Sequence, residues 1–105
     1  MTEKDIEKIL VTEVKKLGGR AYKFVSPGNN GVPDRIVIFP GQAPVFAELK
    51  SDTGRLSAIQ EAQIKRLWEL GQKVFVVKGI DGVSQFLQDI GFEEASKALD
   101  CRYGL

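Results

Sequence analysis

The chain has 105 residues with 43% hydrophobic and 28% charged content, which is the balance of one compact folded domain and excludes disorder, collagen-like repeats and a disulfide scaffold. It contains no histidine and one cysteine, Cys101, so a Ser-His-Asp triad, a Cys-His pair, the usual zinc sites and an intramolecular disulfide are all ruled out. The net charge of +1 conceals an uneven distribution: residues 35 to 78 carry seven basic and four acidic side chains, and residues 79 to 105 carry two basic and five acidic ones. A basic middle and an acidic tail are compatible with a phosphate-bearing partner. The first residues lack the apolar core of a signal peptide and no apolar run reaches membrane-spanning length, so the expected setting is a reducing cytosol with no membrane attachment.

Residues 3 to 17 are expected to form a helix, because Ile6, Ile9, Leu10, Val14 and Leu17 recur at spacings of three and four. Thr2 supplies an N-cap and Gly18-Gly19 a stop. Residues 20 to 25 have strand composition, and Ser26-Pro27-Gly28-Asn29-Asn30-Gly31 is dense in turn formers. Residues 34 to 39 and 45 to 50 are apolar strands around Pro40-Gly-Gln-Ala-Pro44, a hairpin. Ser57-Ala-Ile-Gln60 matches a capping box opening a helix that uses Ile64, Leu67 and Trp68 and stops at Gly71. Lys73 to Lys78 is expected as a buried strand, and a further helix begins near Asp81 or Gly82 and uses Val83, Phe86, Leu87 and Ile90. Trp68 and Phe86 are assigned to the core. Residues 91 to 105 form a tail with a short helix over Ala95, Ala98 and Leu99. The order predicts a single α/β domain, with a mixed sheet flanked by helices and its core over about residues 3 to 90.

The hairpin carries the chemistry. A turn centred near Gly41 sets Asp34 opposite Glu48, with their Cβ atoms about 4.5 to 5.5 Å apart on one face of the sheet. Lys50 lies two residues beyond Glu48, so it projects from that same face. Two carboxylates and a lysine beside a Gly/Asn-rich loop form a ligand set for a hard divalent cation such as Mg²⁺, which keeps several waters and shares phosphate oxygens with a substrate. The reaction this implies is metal-assisted hydrolysis. The alternative is a surface ion-pair cluster of little energetic or catalytic consequence.

Pro33-Asp34, thirteen intervening residues and Glu48-Leu49-Lys50 resemble the PD-(D/E)xK nuclease signature. More narrowly, Gly31-Val-Pro-Asp34, Glu48-Leu-Lys50 and Leu56-Ser57-Ala-Ile-Gln60 resemble the virus-type replication-repair nuclease domain, VRR-NUC, over about residues 5 to 88. The resemblance implies a restriction-endonuclease-like αβββαβ core and a Mg²⁺- or Mn²⁺-dependent endonuclease. Asp34 and Glu48 would hold the metal through their side chains and Leu49 through its carbonyl, and Lys50 would position or activate water. Gln60 corresponds to a supporting glutamine, although it also completes the capping box, and Gln63 is a weaker candidate one turn on. Glu13 resembles a first-helix glutamate directed at the metal, or is an edge residue reaching solvent. Arg35, Arg55 and Asn30 are candidate DNA contacts, the arginines being alternatively just solvated. The family further implies a homodimer acting on branched DNA, with four-way junctions as leading substrate, in a phage or mobile-element setting. The alternatives are a non-catalytic DNA-binding module and a restriction-type nuclease on the same fold.

Overall fold

The computed structural model describes residues 1–105. In chain order the elements are α1 (Glu3–Lys16), β1 (Arg20–Lys23), β2 (Arg35–Ile38), β3 (Val45–Lys50), α2 (Ala58–Glu69), β4 (Val74–Lys78), α3 (Gly79–Asp89) and α4 (Glu93–Tyr103). The expected αβββαβα order is therefore observed. The strands form one mixed sheet in the order β1-β2-β3-β4, antiparallel for the first two pairings and parallel for β3 with β4. A parallel pair needs a crossover, and α2 is that crossover.

Local sequence explains most boundaries. Thr2 caps α1 reciprocally with Asp5, and Ser57 caps α2 reciprocally with Gln60, so both helices begin where side chains satisfy the first free N–H groups. The β2–β3 turn keeps the expected hairpin register, with Arg35 opposite Ala47 and Val37 opposite Val45.

The core lies on one face of the sheet. Ile6, Leu10 and Val14 of α1 and Val83, Phe86 and Leu87 of α3 pack on Val37, Ala47, Leu49 and Val77, with Leu99 of α4 closing the edge. Phe75 meets Phe86 edge-on, at 5.1 Å between ring centroids. The opposite face is covered much less. No residue of α2 is buried, and Trp68 is 63% exposed, which corrects its expected place in the core. The 3.6-residue period identifies the apolar side of a helix but not whether a second layer arrives to cover it. Phe86 is buried as expected.

The C-terminal segment also departs from expectation: α4 is a full eleven-residue helix. Its hydrophobic signal is weak because polar contacts hold much of it. Ser96 meets Ser84 of α3 at 2.8 Å between buried hydroxyl oxygens, and Arg102 reaches Glu13 of α1 at 3.3 Å.

Candidate active site

Asp34 immediately precedes β2, and its carbonyl accepts from Phe24 N–H at 2.9 Å, which ties the loop exit to the end of β1. Extending the β2–β3 register by one residue sets Asp34 opposite Glu48, and by one more sets Pro33 opposite Leu49. Backbone groups of odd-numbered residues in β3 point toward β2, because Phe46 N–H is already turned to Lys73 of the β4 side. Leu49 therefore faces a proline, which has no N–H to give its carbonyl. The Leu49 N–H in turn donates to Asp34 Oδ2 at 2.8 Å. One carboxylate oxygen of Asp34 is fixed by the sheet, and the Leu49 carbonyl has no donor facing it from β2.

Glu48 is 1% exposed on β3. Gln60 Nε2 donates to its Oε2 at 3.1 Å, and Lys50 Nζ lies 3.7 Å from that same oxygen. The other oxygen, Oε1, is buried without any hydrogen-bond partner. A buried carboxylate oxygen with no donor is costly. Burial first, and the neighbouring Asp34 carboxylate second, push the Glu48 carboxyl up to about 8, against the opposing pull of Lys50. The site thus holds a carboxyl group whose ionised form is poorly compensated by protein alone.

Gln60 serves two purposes at once. Its Oε1 accepts from Ser57 N–H at 2.9 Å while its Nε2 reaches Glu48. The capping contact and a contact to Glu48, the two alternatives left open by the sequence, are made by the same side chain. Gln63, one turn further, donates to the Asn30 carbonyl at 3.1 Å and pins the Gly/Asn loop to α2. Gly31 adopts φ +85°, and a Cβ there would collide with Ile59 of α2, so only glycine lets the loop lie this close.

The candidates divide into those that the fold gathers and those that it separates. Asp34, Glu48, Leu49, Lys50 and Gln60 converge. Glu13 does not join them: it is buried against Lys16 at 3.1 Å and Arg102 at 3.3 Å. The acidic side chain that α1 presents to the site is Glu3, whose Oε1 lies 3.6 Å from Lys50 Nζ. Ten residues separate Glu3 from Glu13, about 15 Å along a helix axis at 1.5 Å per residue. Arg35 is likewise drawn away, donating to Glu7 Oε2 at 2.8 Å and to the Ala21 carbonyl at 3.0 Å. Arg55 and Asn30 are exposed on the two loops flanking α2's first turn. Lys78, which sequence reading passed over, is the register partner of Lys50 and is exposed, adding a cation beside the site. The strand pairing that brings it there has no local sequence signal.

Two carboxylates, a strand carbonyl and a lysine fit a Mg²⁺-type ion, which is satisfied by one or two carboxylates together with water and phosphate oxygens. No group of three acidic or thiol side chains is disposed to hold a metal ion by itself, so the closed donor sets of structural metal sites do not arise.

The mixed four-stranded sheet with this cluster on its second and third strands is the restriction-endonuclease-like fold. No family model matches the sequence. A solved structure described as a VRR_NUC domain superposes with a TM-score of 0.75 at 25% sequence identity, covering 84% of this chain and 97% of the other. A curated protein named "Putative nuclease p44", from Acyrthosiphon pisum secondary endosymbiont phage 1, is 47% identical over 79 residues, which is 75% of this chain and 85% of the relative. On these grounds the chain belongs to the VRR-NUC family of PD-(D/E)xK nuclease domains.

Proposed function

We propose that this protein is a divalent-metal-dependent endonuclease that hydrolyses DNA phosphodiester bonds, with Asp34, Glu48 and the Leu49 carbonyl holding Mg²⁺ or Mn²⁺. The observation that carries this reading is Glu48 Oε1, a buried carboxylate oxygen without a partner on a residue that neighbours the Asp34 carboxylate. A cation there removes the desolvation cost that raises the Glu48 pKa. The phage relative's description as a nuclease supports the same reading and favours a bacterial cytosol as the place of action.

The bound metal would supply Lewis-acid activation of the scissile phosphate and of a water. The chain's own residues do the rest. Lys50, held as an ammonium between Glu48 and Glu3, is placed to orient the attacking water by donating to it. Gln60 fixes the rotamer of Glu48, and Ser57 fixes Gln60. Arg55, Asn30 and Lys78 surround this cluster and are the proposed phosphate contacts, whereas Arg35 is committed to Glu7. Branched DNA, with a four-way junction as the leading substrate, and a homodimeric working form complete the proposal.

The test is a Mg²⁺ titration with a labelled four-way junction and a matched linear duplex, run on the native chain, Glu48→Ala and Lys50→Ala. Metal-dependent junction cuts lost in both variants support the reading. Salt-sensitive binding without cuts in Mg²⁺ or Mn²⁺ overturns it and leaves a DNA-binding module.

A further inference from the structure

β4 is an edge strand, with β3 on one side and no strand on the other. Its partner β3 takes the backbone groups of Lys73, Phe75 and Val77, as the Phe46 N–H to Lys73 carbonyl bond at 2.9 Å shows. The N–H and C=O groups of Val74 and Val76 therefore point outward, and no loop or turn hydrogen bond reaches them. Edges of soluble sheets are normally blunted by proline, a bulge or an inward charge. β4 has none of these: its register with β3 is unbroken, its central residues are Val-Phe-Val-Val, and its charges, Lys73 and Lys78, sit only at the ends. Val76 is 44% exposed.

Grooves flank this edge on both faces. On one side, Ile64 and Trp68 of α2 stand beside Val74 and Val76. On the other, a groove of about 630 Å³ runs between β4 and α3, and its polar lining is Asp52, Lys78, Asp81, Gln85 and Asp89, three acids to one lysine. Asp52 and Asp81 close around Gly79, where a Cβ would collide with the Asp52 carboxylate and sit 3.0 Å from that of Asp81. Neither aspartate has a salt-bridge partner, and neither does Lys73.

We propose that β4 pairs antiparallel with β4 of a second copy about a two-fold axis at Val76, joining the two sheets into one. This rests on the homodimeric form proposed above and supplies its interface. Outward-facing groups on both strands permit this register, in which Val76 exchanges both its backbone bonds with the partner's Val76 and each Lys78 N–H donates to the partner's Val74 carbonyl; the charges choose it from the other pairings of outward-facing residues. Residues opposite one another share a face, so the partner's Lys73 arrives beside Gly79 on the α3 side, where the Asp52 and Asp81 carboxylates make no salt bridge within their own chain. The contact is isologous, and each side supplies what the other lacks.

The arrangement has a consequence for the site. Glu48 is the register partner of Val76, so both Glu48 residues lie level with the axis. Three strand spacings separate them, about 15 Å, and a two-fold normal to the sheet keeps them on one face. Two carboxylate clusters on one surface at that spacing suit cleavage of two strands of one substrate.

Sedimentation of the native chain over a concentration series is the first measurement, with Cys101→Ser as the background for cysteine placement. Val76→Cys in that background is expected to form a disulfide-linked dimer under mild oxidation, because opposed strand residues have Cα separations compatible with a disulfide. Lys78→Cys is expected not to, since Lys78 faces the partner's Val74. Lys73→Glu is expected to raise the dimer dissociation constant by roughly tenfold or more. A monomer at all concentrations overturns the proposal. So does a dimer that links through Lys78→Cys, or one that ignores both cysteines, and in either case the cleavage assay reads the nuclease proposal separately.

Discussion

Gln60 Nε2 lies 3.1 Å from Glu48 Oε2 while Gln60 Oε1 accepts from the Ser57 N–H at 2.9 Å, so the first turn of α2 and the buried carboxylate of β3 are held by the same amide. A helix cap and a site support have merged into one side chain. Gln60→Glu keeps the acceptor that the cap needs but removes the donor and sets a second carboxylate against Glu48. Gln60→Ala loses both. The expected outcome is a loss of about 1 kcal/mol of stability for Gln60→Ala and less for Gln60→Glu, with cleavage reduced in both. Paired thermal melts and cleavage assays check this; full activity in Gln60→Glu would remove the support role.

The pH dependence of the metal-free protein follows from Glu48. Its carboxyl is raised from 4.5 to about 8 in the folded state, so the native chain binds more protons than the unfolded one between those values. Stability therefore falls as pH rises through that window and levels off above it. Glu48→Gln removes the titration, and relative to the native chain it is expected to gain stability with rising pH, on the order of a few kcal/mol at about 1.4 kcal/mol per pKa unit. Urea melts in a chelator at about pH 5, 7 and 9 measure it. Parallel curves for the two proteins would show that Glu48 is ordinarily ionised.

Glu3 and Glu13 separate a site role from a structural one on the same helix. Glu3 contacts Lys50, and Glu13 joins α1 to α4 through Arg102. Glu13→Gln is expected to cost about 1 to 3 kcal/mol, because it leaves a largely buried polar position without its charge partners, and to leave the cleavage rate of folded protein intact. Glu3→Gln, half-exposed, is expected to change stability little and to lower the cleavage rate by freeing Lys50 from one of the two carboxylates that hold it. The reverse pattern would return Glu13 to the site.

Gly31→Ala tests the docking of the loop. The backbone at φ +85° and the contact with Ile59 both oppose a methyl group, and the expected loss is about 1 to 3 kcal/mol. The Gln63 bond to the Asn30 carbonyl should break, exposing residues 26 to 31 to limited proteolysis. Protection equal to that of the native chain would mean that the loop is held by other contacts.

The order of elements, the two capping boxes and the hairpin register were legible in the sequence, because each depends on residues within about fifteen positions of one another. The opposition of Asp34 and Glu48 followed from the turn alone, and the observed Arg35–Ala47 and Val37–Val45 pairs keep that register. Tertiary structure decided which distant partner each charge found. Glu3 rather than Glu13 faces Lys50, Arg35 is taken by Glu7, Arg102 closes on Glu13 from 89 residues away, and Trp68 is left exposed beside β4. Local spacing determines the face on which a side chain stands; the packing of helices on the sheet determines what stands opposite it, and no short-range pattern encodes that.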